Sequence, residues 1–378
     1  MPYLFKTFAL ASISMLTLGC QSPGNKENTE TNPTPATEAP LSIILMIGDG
    51  MGLSQVSSAS YFKDTVSNFE RFPVTGLSKT SCTSHRITDS AAGATALSTG
   101  EKTYKKAIGV SADTVALPTI LELLKAKDYR TGLISLTAIT HATPAAFYAH
   151  VENRDMHEAI ALDMMKAQVD FFAGAGLKYF TEREDGKNLY AGLRDLGYHM
   201  DSTGMATVDP AVRNGFLLAP ESMPSKTQGR GDFLPEATAK ALGYFEENDK
   251  PFFLMVEGSY IDWGGHAKDP EMMVQEVLDF DKTIGVALDY VNTHPNTLLI
   301  VTADHETGGA AVGKYYDTDS NTGKKTEDPD KVAVYFITDQ HTGTHVPVFA
   351  TGKGKELFSG IYENNEIFHK MMKAAAMH

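Results

Sequence analysis

Two short spacings in the chain join oxygen and imidazole groups of the kind that hold a divalent metal. Asp262 and His266 stand four residues apart in Ile261-Asp262-Trp263-Gly264-Gly265-His266, and Asp304 is followed directly by His305. Oxygen and imidazole donors together suit zinc or a similar transition metal. Taken alone, each pair reads as an ordinary surface or capping pair. The run Thr88-Asp89-Ser90-Ala91-Ala92-Gly93-Ala94-Thr95-Ala96 adds a hydroxyl where a helix should begin. A helix N-terminus presents unpaired N–H groups and a partial positive charge, which favour both an alkoxide and a phosphate. Ser90 can serve as the N-cap, and so can Asp89, which would leave Ser90 free to react. Arg154, in His150-Val151-Glu152-Asn153-Arg154, carries a planar guanidinium able to grip a phosphate through two parallel hydrogen bonds. By itself it reads as a solvated surface residue.

These groups need a frame, and the hydrophobic pattern describes one. Ser42 to Ile47 is a short apolar run without alternation, as expected of a strand buried on both faces, and it stops at Gly48-Asp49-Gly50. Arg130 to Leu136 reads as a strand leading to His141-Ala142-Thr143-Pro144. Val169 to Ala173, Phe252 to Val256 (ending at Glu257-Gly258) and Thr297 to Val301 (ending at Thr302-Ala303-Asp304-His305) read the same way. Between them lie helical patterns over Leu117 to Lys127, with Pro118 in the first turn, over Met156 to Gln168, and from Asp269 onward. In the last of these Met273, Val277, Phe280, Ile284, Leu288 and Val291 share one stripe. Asn365 to Met377 reads as a closing helix. Alternating strands and helices predict an α/β fold, a mainly parallel central sheet with helices on both faces and short accessory insertions. Ligands in such sheets bind outside the carboxyl ends of the strands. Here those ends carry Asp49, Glu257, Asp304 and His305, an arrangement suited to metal.

Six dispersed motifs in one order then resemble the alkaline phosphatase family. They are Asp49-Gly50-Met51-Gly52, Thr88 to Thr95 with Ser90, His141-Ala142-Thr143-Pro144 continuing to Arg154, Glu257-Gly258 through His266, Asp304-His305-Glu306, and His341-Thr342-Gly343. The resemblance runs from about Leu41 to the C-terminus. It implies hydrolysis of small-molecule phosphate monoesters through a phosphoserine intermediate, with two Zn2+ and one Mg2+. Asp262, His266 and His341 match ligands of the first zinc. Asp304, His305 and Ser90 match the second zinc site, with Asp49 shared between it and the magnesium. Thr143 and Glu257 match the other magnesium ligands. Ser90 corresponds to the nucleophile and Arg154 to the phosphate-gripping arginine. Many members carry Asp and Lys where this chain has His141 and Trp263. These two positions bear on how phosphate is held and open the third site to zinc in place of magnesium. His345 is a rival ligand four residues beyond His341, and the His-Thr-Gly pattern favours His341. The family also suggests a homodimer. The Gly313 to Lys331 segment reads as a reduced accessory region. Asp317, Asp319 and Asn321 there suggest a calcium loop, but the glycine is displaced to Gly323, so a polar hairpin turn is expected. Leu177 to Asp232 is less regular and reads as peripheral.

Composition narrows the alternatives. The chain has 378 residues, 42% of them hydrophobic and 21% charged, a balance that excludes wholesale disorder and leaves room for one large domain. Lys and Arg number 33 against 47 Asp and Glu, a net charge of −14 that argues against nucleic acid as a partner. An anion site must then be positive locally, through metals, an arginine or a helix terminus. Two cysteines, Cys20 and Cys82, cannot make a disulfide framework. Residues 1–19 read as an export signal, and Leu18-Gly19-Cys20 resembles a bacterial lipoprotein signal, with Cys20 lipid-anchored at a periplasmic or cell-surface membrane. An ordinary secretion signal followed by a stray cysteine is the plainer alternative. Residues 20–40, with four prolines and no aliphatic run, read as a flexible tether, and 41–378 as the catalytic domain. Two further readings stay open: a related hydrolase of diesters, sulfate esters or phosphonates, and a non-catalytic lipoprotein that captures metal or phosphate. Arg154, the third-site positions and a serine nucleophile favour the monoesterase over the first. The filled ligand positions speak against the second.

Overall fold

Ile43, Leu45 and Ile47 point into one apolar layer, and Ile44 and Met46 into another. A run with no polar alternation is therefore a strand covered on both sides. This strand, β1 (Ser42–Gly48), lies inside a ten-stranded sheet of the computed structural model, which describes residues 40–376. The expected export signal, Cys20 and nearly all of the tether lie outside the described residues.

The remaining strands are β2 (Val74–Lys79), β3 (Arg130–Ala138), β4 (Phe171–Ala175), β5 (His199–Asp201), β6 (Asn214–Leu217) and β7 (Phe252–Gly258). They are followed by β8 (Thr297–Thr302), β9 (Glu306–Thr307), β10 (Ala310–Thr318), β11 (Lys325–Phe336), β12 (His341–Thr342), β13 (Val346–Gly352) and β14 (Gly360–Glu363). The sheet order is β14-β2-β13-β8-β1-β7-β3-β4-β6-β5. Only β13 runs antiparallel to its neighbours; the other pairings are parallel. Helices Ser90–Thr99, Ile120–Lys125, His157–Ala167 and Glu366–Ala376 bury residues in the Ile43 layer. Phe233–Glu246 and Pro270–Thr293 cover the opposite one. The expected stripe from Met273 to Val291 is buried along the second of these.

Two segments differ from the pattern-based reading, and a third follows it. The helix expected over Leu117 to Lys127 spans only Ile120–Lys125, because Thr119 caps it in a reciprocal box with Glu122 and leaves Pro118 outside. The segment read as peripheral supplies β5 and β6, which extend the sheet edge beyond β4. The Gly313 to Lys331 segment lies within the antiparallel β10–β11 hairpin. In its turn Asp319 Oδ1 accepts from the amides of Asn321 and Thr322, as a polar turn requires.

Topology now places the chemistry-bearing residues. At the carboxyl edge, β1 runs into Asp49, β3 leads to His141 and Thr143, and β8 runs into Asp304 and His305. Near its end β7 carries Glu257, and it continues into helix Tyr260–Ala267 with Asp262 and His266. Because β13 is reversed, the chain enters it from this same edge. The entering segment contains β12, whose His341 pairs with Thr307 of β9.

Candidate active site

Asp262 and His266 are one helical turn apart, so both face the same way. His266 Nε2 is 3.4 Å from Asp262 Oδ1, His341 Nε2 is 3.5 Å from that oxygen, and the two imidazole nitrogens are 3.1 Å apart. Ligand atoms ~2.0–2.1 Å from a tetrahedral zinc stand roughly 3.3–3.4 Å from one another, which these spacings match. The tautomers fit as well. His266 Nδ1–H donates to the Asp339 carbonyl at 2.6 Å, and His341 Nδ1–H donates to the Thr88 carbonyl at 3.0 Å. Both Nε2 lone pairs then face each other, an opposition that a cation between them relieves. His341, not His345, belongs to this group.

A second group joins Asp49, Asp304 and His305, all fully buried. His305 Nε2 is 3.3 Å from Asp49 Oδ1, 3.3 Å from Asp304 Oδ2 and 3.2 Å from Ser90 Oγ. Asp304 Oδ1 accepts from the Gly50 amide at 3.3 Å, while Oδ2 has no hydrogen-bond partner. A third group joins Asp49, His141 and Glu257. Both oxygens of Asp49, Glu257 Oε1, Thr143 Oγ1 and His141 Nδ1 are buried there without a partner. Buried ligand atoms without partners around a pocket of negative charge are what the protein contributes to a metal site. The donor chemistry therefore fits a divalent cation at each group.

Geometry also decides which residue caps the helix. Asp89 is the N-cap of helix Ser90–Thr99, its Oδ1 accepting from the Ala92 amide at 3.2 Å. Ser90 is thus released from capping, and its hydroxyl turns to His305. Asp89 Oδ2 lies 3.7 Å from Arg154 Nη1, and Arg154 Nη2 lies 3.0 Å from His141 Nε2. Trp263, beside Asp262, is 37% exposed and packs on the Tyr260 ring with centroids 4.4 Å apart. His141, expected on the phosphate side, also stands within the third group.

Electrostatics carry the same message. Burial pushes the Asp304 carboxyl up to about 8, helped by the charges of Asp262 and Glu257. Burial likewise raises Asp49 well above the usual carboxylate range, and raises Glu257 against a hydrogen bond from Ser135. The His305 imidazole is held well below its ordinary value, first by burial and then by the neighbouring histidines. His141 is held down by burial and by the Arg154 charge. Neutral imidazoles are metal ligands, and crowded carboxylates call for a cation. Sequence reasoning missed Ser135, which donates to Glu257 Oε2 at 2.5 Å, and Thr307, which bonds Asp262 and His305. Thr307 stands two residues beyond His305, but nothing in that spacing points to Asp262.

A buried hydroxyl beside clustered carboxylates and imidazoles, on the carboxyl edge of an α/β sheet, defines a metal-dependent hydrolase. Comparison with known proteins gives the family. The family model described as alkaline phosphatase matches residues 41–337 and 316–377. Alkaline phosphatase 4 of Bacillus subtilis (strain 168) is 30% identical over 97% of each chain. Alkaline phosphatase of Escherichia coli (strain K12) is 30% identical over 94% of this chain and 92% of its own. The structure of alkaline phosphatase from the Antarctic bacterium TAB5 is 46% identical, with a TM-score of 0.85, covering 89% of this chain and 98% of its own. The chain belongs to the alkaline phosphatase family. It is an enzyme of that metal-dependent class, which acts on phosphate monoesters.

The buried carboxylates make a prediction about pH. A carboxyl whose pKa is higher in the fold than in the unfolded chain binds its proton first in the fold. The fold then loses stability as pH rises between the two values, for Asp304 from near 3.8 to about 8. Metal-stripped protein should therefore melt at progressively lower temperature across that range, and metal-loaded protein should not. Thermal melts of chelated and reloaded protein check this; parallel curves would break the link between these carboxylates and a bound cation.

Proposed function

We propose that the enzyme hydrolyses small-molecule phosphate monoesters through a phosphoserine intermediate, with zinc at the first two groups and magnesium or zinc at the third. The observation that carries this reading is the Ser90 hydroxyl, freed by the Asp89 cap and 3.2 Å from His305 Nε2. Asp262, His266 and His341 would hold the first metal. Asp49, Asp304 and His305, with Ser90, would hold the second, and Asp49, Thr143 and Glu257, with His141 alongside, the third. When bound, the metals supply Lewis-acid charge that favours a serine alkoxide and neutralises the oxygens of the reacting phosphate.

The residues of the chain do the rest. Arg154 and the Ala91 amide hold the non-bridging oxygens of the phosphate at the start of the helix. Ser90 loses its proton, and Oγ forms a bond to phosphorus as the bond from phosphorus to the leaving oxygen breaks. The alcohol departs with a proton. Water then attacks the phosphoseryl group, inorganic phosphate leaves, and Ser90 regains its proton. Asp89 steadies Arg154 through their 3.7 Å ion pair, and the other terminal nitrogen of the guanidinium lies 3.0 Å from His141 Nε2. Most of these contacts are to phosphate, which supports breadth toward the alcohol.

The third site is the place where this chain tunes its metal. Imidazole suits zinc, whereas an additional carboxylate suits magnesium, which demands oxygen ligands. TAB5 alkaline phosphatase with one histidine replaced by Asp, or by Glu, is described with Mg bound in its M3 site. We also infer that the enzyme is exported and tethered to a membrane through lipid on Cys20, on the strength of Leu18-Gly19-Cys20.

Three outcomes are expected. Ser90→Ala should lower turnover of an aryl phosphate by about a thousandfold or more while retaining its metals; near-normal turnover would remove the covalent step. His141→Asp should make activity depend on added magnesium and raise the magnesium content of the purified protein, and unchanged magnesium content would refute that assignment of the third site. Cys20→Ala should move the activity from the membrane fraction to the soluble fraction of the exported protein; continued membrane retention would rule out the lipid tether.

A further inference from the structure

Thr307 stands behind the first two groups and touches a member of each. Its hydroxyl bonds to Asp262 Oδ1 at 2.5 Å and lies 3.2 Å from His305 Nδ1. The residue is completely buried, and its backbone is pinned at both ends. Its amide donates to the Gly50 carbonyl at 3.1 Å, and its carbonyl accepts from Gln55 Nε2 at 2.8 Å. Its strand partner is His341, a third member of the same cage.

A hydroxyl has one proton to give. An ionised Asp262 can only accept, so the Thr307 proton goes there, and the oxygen is left to accept Nδ1–H from His305. That places the His305 lone pair on Nε2, toward Asp49, Asp304 and Ser90. The same hydroxyl fixes the direction of Asp262 Oδ1 toward His266 and His341. One oxygen atom thus orients two ligands that belong to different groups.

We propose that Thr307 is a positioning residue that couples the first two metal sites, so that loosening its hydroxyl weakens both together. The inference rests on the zinc assignment made above for those two groups. Hydrogen-bond partners of metal ligands typically set affinity by about 10–100-fold.

The test is zinc loss from the holoenzyme to a competing chelator, followed for both sites in the unmutated protein, Thr307→Val and Thr307→Ser. Thr307→Val keeps the shape and removes the hydroxyl, and should weaken zinc at both sites by about 10–100-fold. Thr307→Ser restores the hydroxyl and should restore zinc retention. Melting temperatures should fall more for zinc-loaded than for metal-free Thr307→Val, because a packing defect would lower both alike. Thr307→Ala repeats the measurement without a methyl group against the carboxylate if the valine form folds poorly. Unmutated zinc retention in both Thr307→Val and Thr307→Ala, weakening at one site alone, or equal weakening in Thr307→Ser would overturn the proposal. Absence of zinc from the unmutated protein would overturn the metal assignment and this inference with it, and that arm shows it separately.

Discussion

Four carboxylates, those of Asp49, Glu257, Asp262 and Asp304, are buried along one edge of the sheet, and the rest of the site answers to that constraint. Taking a carboxylate out of water costs several kcal/mol even after the protein relaxes, and like charges close together add to the cost. Arg154 is the guanidinium whose charge bears on Asp49 and Glu257, and it cannot neutralise the whole group. That concentration of negative charge is relieved either by protons, which the raised Asp49 and Asp304 carboxyls hold more readily, or by cations sharing the space. Metal dependence and folding stability are thus two faces of one electrostatic problem in this chain.

The scaffold meets that problem by rigid placement. The carboxylates and imidazoles come from the carboxyl ends of the buried strands β1, β3, β7 and β8, or from the helix or short strand next to them, so their positions are set by core packing. Gly50 allows β1 to turn at once, with φ +73, where a side chain would run into the Asp262 backbone at 2.7 Å. Gly93 lets helix Ser90–Thr99 settle against Asp304, whose carbonyl oxygen would be 3.0 Å from an added Cβ. Behind the ligands, carbonyls of Asp339 and Thr88 and the Thr307 hydroxyl choose the tautomers of three histidines. Disposition of protons at the site is therefore written largely in backbone and hydroxyl groups.

Ser90 illustrates how a commonplace local feature is freed from its usual role. At a helix start a serine ordinarily caps. Here the preceding Asp89 caps, anchors the Lys106 amide and approaches Arg154. The serine keeps its hydroxyl at the positive end of a helix, 3.2 Å from His305 Nε2. A net charge of −14 gives no long-range attraction for an anion, so an anion site in this chain has to be positive locally, as a helix start is.

Much of this was legible in the chain itself. Buried strands announce themselves as unalternating apolar runs, and the residues that end them, Asp49, Glu257, Asp304 and His305, are adjacent in sequence to those runs. The stripe from Met273 to Val291 follows from helical periodicity alone. Tertiary structure decided what local pattern leaves degenerate. Reversal of β13 brings its entering segment to the site, pairing of β12 with β9 seats His341 in the cage, and the Asp89 cap frees Ser90. His141 joins the third group through contacts more than a hundred residues away, with Glu257. Ser135 and Thr307 had no local mark at all, because a hydroxyl gains its role only from the ligand it faces, and chain folding alone determines that partner.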